Sequence, residues 1–375
     1  MAVCTQAAAL LVGLLVAAGG AGSDRADAED VTIVMVGDML MHTGVIKSGL
    51  QDDGSYTYDH LFAHVCDDTS AADIAIVNQE TILGGKELGG YTGYPSFNSP
   101  FELGDAEAKA GFDVVLHGTN HALDRKASGI MNCLSYWRQD HPEISVLGIH
   151  DSEEDRERLC IVSCKGLRIA IINCTYGTNG IQMPAGMGYL VDVMDEKRVR
   201  EQIARAEEAA DFTLVCPHWG TEYSLTTDSF QKKWAQIFLS TGVDLVIGTH
   251  PHVIEPVEIL TDENGRRMPV CYSIGNFVND TSGRGNGVMN RAVGGEALAR
   301  IGRGSDGSVC VKELTLKPVI CHLTGDTVTA YLLSDYTEEL AEENRFREKD
   351  AAFSLDACQI LTKQVWQDMQ WIIDG

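Results

Sequence analysis

Basic residues are scarce in this sequence. Its 375 residues include 29 lysines and arginines against 54 aspartates and glutamates, which gives a formal net charge of −25. A chain this acidic repels nucleic acid and anionic membrane surfaces, so we expect no nucleic-acid partner. It would also repel a polyanionic substrate unless the binding site carried local positive charge, which bound divalent metal ions would supply.

The sequence also lacks a C-x-x-C motif, an internal repeat and any low-complexity tract. Its eleven cysteines therefore indicate neither a zinc ribbon nor a thioredoxin-like redox site. Hydrophobic residues make up 44% of the chain and charged residues 22%, a balance that excludes a disordered chain. The length of 375 residues fits one large α/β domain or two ordinary ones.

Charge is absent from residues 3–22, and no basic residue precedes this stretch. The apolar middle and small-residue end are typical of a secretory signal peptide, and about 20 apolar residues can also span a bilayer as an uncleaved anchor. We expect residues 1–22 to be a signal peptide or an N-terminal anchor and residues 23–30 to be a linker. The folded part would then be secreted or anchored on the outer face of the cytoplasmic membrane. An Ala- and Gly-rich start without a targeting role is the alternative.

Apolar runs that predict strands alternate with segments of helical periodicity. This alternation indicates an α/β fold with buried strands. The predicted strands are Val31–Val36, Asp73–Val77, Phe112–Leu116, Arg168–Ile172, Phe212–Cys216, Val243–Ile247 and Val270–Ile274. The predicted helices are Asp195–Ala210 and Ser229–Leu239. Further along the chain we expect a Gly-rich loop at residues 281–295, antiparallel strands at 296–333 and a helical C-terminal segment at 338–375.

Side chains with metal-ligand chemistry follow the ends of five predicted strands. In open α/β sheets, ligands bind at the edge formed by the carboxyl ends of the strands. Imidazole, carboxylate and amide oxygen without thiolate suit Mn, Fe or Zn in a dinuclear centre. The residues are Asp38 with His42, Glu80, Asn120 with His121, His218, and His250 with His252. We expect two divalent metal ions there, with the Glu80 carboxylate placed to bridge them.

Taken singly, most of these residues have a structural alternative. A Gly-Asp at a strand end, as at Asp38, is commonly a turn; His42 can lie on a helix face, and Asn120 can cap a helix. His250 and His252 are harder to explain without a metal, because two histidines directly after a buried strand cost stability unless ligands or hydrogen bonds satisfy them. The convergence of all five segments favours the metal centre.

Six short motifs occur in order along the chain. They are V-G-D-M-L-M-H at 36–42, N-x-E at 78–80, N-H-A-L-D at 120–124, H-W-G-T-E-Y at 218–223, H-P-H-V at 250–253 and Y-S-I-G-N-F at 272–277. Together they resemble the CapA family of poly-γ-glutamate capsule biosynthesis proteins, which is similar to the calcineurin-like metallophosphatase superfamily. Thr119 and Thr249 depart from the usual Asn and His of the family, and position 42 varies within it.

The resemblance implies a metallophosphatase-like αββα sandwich over residues 31–337, in which two packed mixed sheets are flanked by helices. For the two metal ions it implies the ligand sets Asp38 with His252, and Asn120 with His218 and His250. Glu80 would take the place of the bridging carboxylate. His121 would lie beside the ions as an acid or as a hydrogen-bond donor to an oxyanion, so Glu80 and His121 are the catalytic candidates.

Two functions remain open on the sequence. The first is a CapA-like protein of poly-γ-glutamate capsule synthesis or export with a dinuclear hydrolase site, acting on a phosphoester or a γ-glutamyl amide. The alternative is a non-catalytic polymer-binding or export subunit of a capsule synthase, with membrane synthase subunits as partners. Either would bind polyglutamate or another anionic polymer. Glu222, Tyr223 and Asn276 would be substrate-binding residues or supports of the site.

Overall fold

A computed structural model describes residues 30–373 of the chain. The predicted signal peptide or anchor, and residues 23–29 of the predicted linker, lie outside the described residues. Within them the strands are β1 Val31–Met39, β2 Ile74–Asn78, β3 Val114–Leu116, β4 Ser145–Leu147, β5 Cys160–Cys164, β6 Leu167–Thr175, β7 Phe212–His218, β8 Leu245–Ile247, β9 Val257–Thr261, β10 Arg267–Cys271, β11 Asn276–Val278, β12 Val293–Arg303, β13 Val309–Thr324, β14 Thr327–Leu332 and β15 Gln370–Ile372.

The helices are α1 Thr43–Ser48, α2 Cys66–Ala71, α3 Glu102–Lys109, α4 Lys126–Asp140, α5 Glu153–Arg156, α6 Glu196–Ala209, α7 Ser229–Thr241, α8 Glu338–Glu343, α9 Phe346–Lys349 and α10 Leu355–Trp366. The longest helices are α4, α6 and α7, and the others have at most twelve residues. Three 3-10 helices lie at Asp59–Leu61, Val288–Ala292 and Leu333–Asp335. In residues 30–373, none of the helices combines the length and the apolar character needed to cross a membrane.

The first sheet has nine strands and β1 lies near its middle. Strands β1, β2, β3 and β4 run parallel in that order. On the other side of β1, the strands β12, β13 and β14 continue the sheet with antiparallel pairing. The short β11 pairs in parallel with the end of β1, where the register shifts between Asp38 and Met39. The sheet is therefore mixed, with a parallel half that carries β1, β2 and β3 to the same edge.

The second sheet has six strands in the order β5-β6-β7-β8-β10-β9. Its four inner strands are parallel, and the edge strands β5 and β9 pair with their neighbours in antiparallel fashion. The sequences of β6 and β7 are mostly apolar and their residues are nearly all buried. This pattern is typical of parallel strands that are covered on both faces.

The two sheets pack face to face, and α6 and α7 cover the outer face of the second. Alternate residues of a strand point to opposite faces. Ile169 and Ile171 accordingly join the large apolar cluster that contains residues of both sheets. Ala170 and Ile172 join a second cluster with Ile203 of α6 and the aromatic residues of α7. The predicted fold class, two packed mixed sheets with flanking helices, is confirmed.

Two segments differ from the sequence prediction. Residues 338–375 were expected to be helical, and α8, α9 and α10 lie there, but Gln370–Ile372 is a strand that pairs with β13. The helix ends because Gln367 takes a positive φ of 61°, after which the chain returns to the sheet. The expected Gly-rich loop at 281–295 also ends early, since β12 begins at Val293. Gly294 is required there because a Cβ would lie 1.8 Å from the Asn276 carbonyl oxygen.

Candidate metal centre

The predicted ligands converge at one edge of the sandwich. Asp38 lies near the end of β1, Glu80 two residues after β2, and His218 is the last residue of β7. His250 and His252 follow β8. Because β1 to β3 and β6 to β8 are parallel sets, their carboxyl ends meet at a common edge where the two sheets pack. All of these side chains are buried.

Glu80 lies at the centre of the cluster. Its Oε1 is 3.7 Å from His218 Nε2, 3.7 Å from His252 Nε2 and 4.0 Å from His121 Nε2. Neither carboxylate oxygen has a hydrogen-bond partner among the described residues. Burial raises the pKa of Glu80 well above its ordinary range. A carboxylate in this position needs either a proton or a cation.

The Asp38 carboxylate is held by Asn78 of β2 and by two groups of the loop after β8. Its Oδ1 accepts a hydrogen bond from Asn78 Nδ2 at 2.8 Å. Its Oδ2 lies 3.0 Å from His252 Nδ1 and accepts from the His250 backbone N–H at 3.3 Å. The Asp38 N–H donates to the carbonyl of Gly275 at 3.0 Å. The carboxylate is thereby fixed in orientation toward the histidine loop.

His218 connects Asn120 to the cluster. Its Nε2 lies 2.9 Å from Asn120 Oδ1, and its Nδ1 lies 3.0 Å from Thr249 Oγ1. Burial lowers the pKa of His218 and of His250 well below the ordinary value, so both imidazoles are neutral. Neutral imidazole is the form that binds metals.

The His250-Pro251-His252 turn has an unusual backbone. His250 has a φ of 101° and His252 a φ of 59°, in the region that residues other than glycine rarely adopt. Such conformations cost of order 1–3 kcal/mol each and cluster at functional sites. Although His250 Nδ1 is buried, it has no hydrogen-bond partner among the described residues. Burial would lower the pKa of His252, but the carboxylates of Glu80 and Asp38 raise it.

Among residues 30–373, two groups of side chains are compact enough to hold a metal ion. Within each group the candidate ligand atoms all lie within 4.8 Å of one another. The groups are Glu80 with His250 and His252, and Asp38 with Glu80 and His218. Glu80 belongs to both, as a bridging carboxylate would. The division of the other ligands differs from the one the family resemblance implies, since His250 and His252 fall in the same group.

His121 is oriented by a carboxylate that the sequence analysis did not single out. Its Nδ1 lies 2.8 Å from Asp124 Oδ2, which also accepts from the Phe97 backbone N–H at 2.7 Å. The Phe97 ring packs edge-on against His121 at a centroid distance of 4.6 Å. With Nδ1 engaged by Asp124, Nε2 of His121 faces Glu80. Asp124 is the last residue of the N-H-A-L-D motif at 120–124, so the motif could have identified it.

The predicted substrate-binding residues occupy different environments. Glu222 is exposed and Tyr223 is 42% exposed, with its ring centroid 5.9 Å from that of His252. Asn276 is buried, its Oδ1 lies 3.1 Å from His252 Nδ1, and its Nδ2 donates to the carbonyls of His252 and Arg291. Of the two roles considered for Asn276, this placement favours support of the site over contact with a polymer.

His42 does not join the ligands. Its Nδ1 accepts a hydrogen bond from the Asp280 backbone N–H at 3.3 Å, and burial lowers its pKa to about 3. Sequence reasoning also missed Tyr176 and Asn179, on the loop after β6. The Tyr176 ring lies 4.5 Å from that of His250, and Asn179 Oδ1 accepts from Asn120 Nδ2 at 3.2 Å. No motif marks these two residues.

Comparisons with known proteins agree with the motifs. The chain is 25% identical over 266 residues to the capsule biosynthesis protein CapA of Bacillus anthracis, which covers 67% of this chain and 60% of that protein. It is 28% identical over 176 residues to the PGA biosynthesis protein CapA of Bacillus subtilis, covering 45% of this chain and 43% of that protein. The match thus spans less than two thirds of the length of either relative.

Similar solved structures are more distant in sequence. A 5'-nucleotidase precursor of Thermus thermophilus superposes with a TM-score of 0.47 and 14% identity, over 89% of this chain and 59% of that chain. The family described as bacterial capsule synthesis protein PGA_cap matches residues 32–281, two thirds of the sequence. The resemblance drawn from the motifs is thereby confirmed, and the chain belongs to the PGA_cap family of bacterial capsule synthesis proteins.

Proposed function

We propose that this protein is a metal-dependent hydrolase that acts in the synthesis, export or release of a poly-γ-glutamate capsule. The observation that carries the proposal is the environment of Glu80, a buried carboxylate that faces three imidazoles and has no hydrogen-bond donor within residues 30–373. The identity of the polymer is proposed from two similar proteins, which are named for capsule biosynthesis and for PGA biosynthesis.

The donor set fits a pair of divalent cations. The proposed ligands are Asp38, Glu80, Asn120, His218, His250 and His252. The buried imidazole nitrogens and carboxylate oxygens face one another with lone pairs. Such atoms repel one another unless a proton or a cation lies between them. Their chemistry suits Mn, Fe or Zn. Such ions supply Lewis acidity to a carbonyl or phosphoryl oxygen and acidify water.

His121 is proposed to move the proton that the reaction requires. Asp124 accepts a hydrogen bond from Nδ1 and thereby presents Nε2 to the space beside Glu80. In its imidazolium form, a histidine held in this way can donate the Nε2 proton to a leaving amine or alkoxide, or a hydrogen bond to a developing oxyanion. The Phe97 ring limits rotation of the imidazole by packing against it.

The scissile bond is proposed to be a γ-glutamyl amide or a phosphoester. Tyr223 and Glu222 are open to solvent beside the histidine loop and are proposed to contact the substrate. Metal ions would also provide the positive charge that lets so acidic a protein accept an anionic polymer. Membrane subunits of a capsule synthase are the proposed partners.

The test is an activity screen of the full-length protein, purified with Mn or Zn. Substrates would be phosphoesters and γ-linked glutamate oligomers, with and without chelator. We expect hydrolysis that the chelator inhibits and that Glu80→Gln abolishes. Glu107→Gln is the control and should retain activity, because Glu107 is an equally buried carboxylate without imidazole partners among the described residues. If wild-type protein with bound metal cleaves none of these substrates but binds the oligomers, the non-catalytic subunit is the better account.

We further propose that residues 1–22 direct export, so that the folded part lies outside the cytoplasmic membrane. The support is the uncharged apolar stretch that ends in small residues. Fractionation of cells that express the full chain tests this. A cytoplasmic, water-soluble chain with its N-terminus intact would refute it.

A further inference from the structure

Two solvent-exposed tyrosine rings contact the histidines of the site. The ring centroid of Tyr176 lies 4.5 Å from that of His250, and Tyr223 lies 5.9 Å from His252. Tyr176 is 38% exposed and Tyr223 42%. An exposed aromatic ring gains free energy when a ligand covers it. Both rings are therefore placed to contact a substrate bound over the histidines.

A third exposed tyrosine reaches the site through Phe97. Tyr94 is 74% exposed, and its ring lies 6.3 Å from that of Phe97, which in turn packs against His121 at 4.6 Å. We call Tyr94, Tyr176 and Tyr223 the tyrosine rim. The rim borders both the proposed proton-transfer residue and the proposed metal ligands.

A buried arginine lies behind one ring of the rim. The Arg291 Cζ is 3.7 Å from the Tyr223 ring centroid. In the described part of the chain its guanidinium donates to neutral oxygens, Thr281 Oγ1 at 3.0 Å and the Arg284 carbonyl at 3.1 Å, and its Nε has no partner. A buried guanidinium that carboxylates do not neutralise keeps a positive field around it.

This stacking changes what the outer face of Tyr223 can bind. The face of an aromatic ring carries negative potential, which attracts cations and repels anions. With the Arg291 cation against the inner face, that repulsion is weakened on the outer face. Tyr223 is thus suited to lie against a flat group that carries a carboxylate.

We propose that the tyrosine rim and Arg291 form the binding site for a γ-linked glutamyl chain, with its amide planes against the rings and an α-carboxylate beside Tyr223. Each repeat of such a chain has one planar amide, two methylenes and one carboxylate. The planar amide can lie against a tyrosine ring, and the carboxylate can lie near the Arg291 cation. The identity of the chain rests on the proposed function. A ligand with its own aromatic ring, such as adenosine, is the competing occupant.

The test is equilibrium binding of a γ-linked glutamate pentamer to the full-length, metal-reconstituted protein, measured by calorimetry. We expect Tyr176→Ala and Tyr223→Ala each to weaken binding by about two- to tenfold, the range for one aromatic contact. Tyr223→Phe keeps the ring and should bind nearly as wild type. Phe230→Ala is the control, since Phe230 is also 38% exposed but packs on Trp234 of α7.

The outcomes separate this inference from the proposed function. Pentamer binding that the tyrosine variants weaken, without any hydrolysis, supports the rim and overturns the hydrolase. Hydrolysis of phosphoesters without pentamer binding supports the hydrolase and overturns the tyrosine-rim proposal. Unchanged affinity in folded tyrosine variants, or tighter binding of adenosine than of the pentamer, overturns the rim proposal. Thermal melting of each variant shows whether it is folded.

Discussion

At the scale of single residues, two buried glutamates show why Glu80 points to a metal. Glu107 is also fully buried, with no hydrogen-bond partner for either oxygen among the described residues, and burial raises its pKa. A proton is sufficient to neutralise it, since no imidazole pairs with it among the described residues. Glu80 instead has three imidazole nitrogens within 4.0 Å. Two cations shared through Glu80 would satisfy all of these groups together, which a single proton would not.

The first prediction concerns His121. We expect His121→Ala to leave metal content near normal and to lower turnover by ~10²–10⁴, the range for a lost general acid. Asp124→Asn should cause a smaller loss, because it frees the imidazole without removing it. His141→Ala is the control, since His141 pairs with Asp105 at 2.7 Å in another part of the molecule. A lower melting temperature with unchanged turnover per folded molecule would show that His121 is structural.

How far the site could be predicted depends on whether a residue has metal-ligand chemistry near the end of an apolar run. Asp38, Glu80 and His218 each lie within three residues of such a run, so their shared edge can be read from the sequence. Tyr176 directly follows β6 and Arg291 lies in the 3-10 helix Val288–Ala292, but no motif marks either residue. Their roles depend on ring contacts that spacing along the chain does not encode.

At the scale of secondary-structure elements, Gly37 sets the close approach of β1 to the turn before β11. A Cβ at Gly37 would lie 2.0 Å from the Gly275 carbonyl oxygen, which accepts the Asp38 N–H. We expect Gly37→Ala to cost roughly 1–3 kcal/mol, as overpacking does, and to reduce metal binding by moving Asp38. Gly188→Ala is the control, because a Cβ there meets nothing within 4 Å. Equal unfolding free energies for the two variants would contradict this.

A second element-scale prediction concerns pH and the segment between β8 and β9. Burial raises the pKa of Glu255 from 4.5 to about 8, although Gln231 Nε2 donates to it at 2.5 Å. The folded state therefore holds a proton that the unfolded state releases near pH 4.5. This contribution to stability is complete below pH 4.5 and is lost as pH rises through about 8.

Glu255→Gln should remove that pH dependence. We expect the variant to gain roughly 4 kcal/mol relative to wild type between pH 5 and 9, because about three of the pH units between 4.5 and about 8 fall in this range and each pKa unit corresponds to about 1.4 kcal/mol. The measurement is the unfolding free energy by denaturant titration across this range. Glu208→Gln, on the exposed face of α6, is the control. Parallel profiles for Glu255→Gln and wild type would refute the assignment.

At the scale of the whole molecule, the C-terminal segment completes the fold instead of forming a separate unit. Phe346 and Phe353 are fully buried, Trp366 Nε1 donates to the Glu255 carbonyl at 3.0 Å, and β15 pairs with β13. We expect a chain that ends at residue 337 to be insoluble or to lack a cooperative melting transition. A soluble fragment that melts like the full chain would contradict this expectation.

Elements marked by a local sequence pattern could be predicted, and elements that depend on pairing between distant residues could not. Buried parallel strands such as β6 and β7 are recognisable because each contains a short apolar run, Ile169–Ile172 and Leu214–Cys216, that continues without alternation. The strand β15 could not be predicted, because its pairing joins residues 313–315 to residues 370–372 and its sequence continues a helical pattern. The end of the predicted sandwich at residue 337 was placed there because of that helical pattern.

The central claim is that Glu80 bridges two metal ions. Its most direct test is elemental analysis of the full-length protein after reconstitution with Mn or Zn, for wild type, Glu80→Ala and Asn120→Ala. We expect about two ions per chain in wild type, and a greater loss in Glu80→Ala than in Asn120→Ala, because a bridging carboxylate serves both ions and an amide oxygen serves one. Wild-type protein without bound metal, or equal loss in the two variants, would contradict the claim.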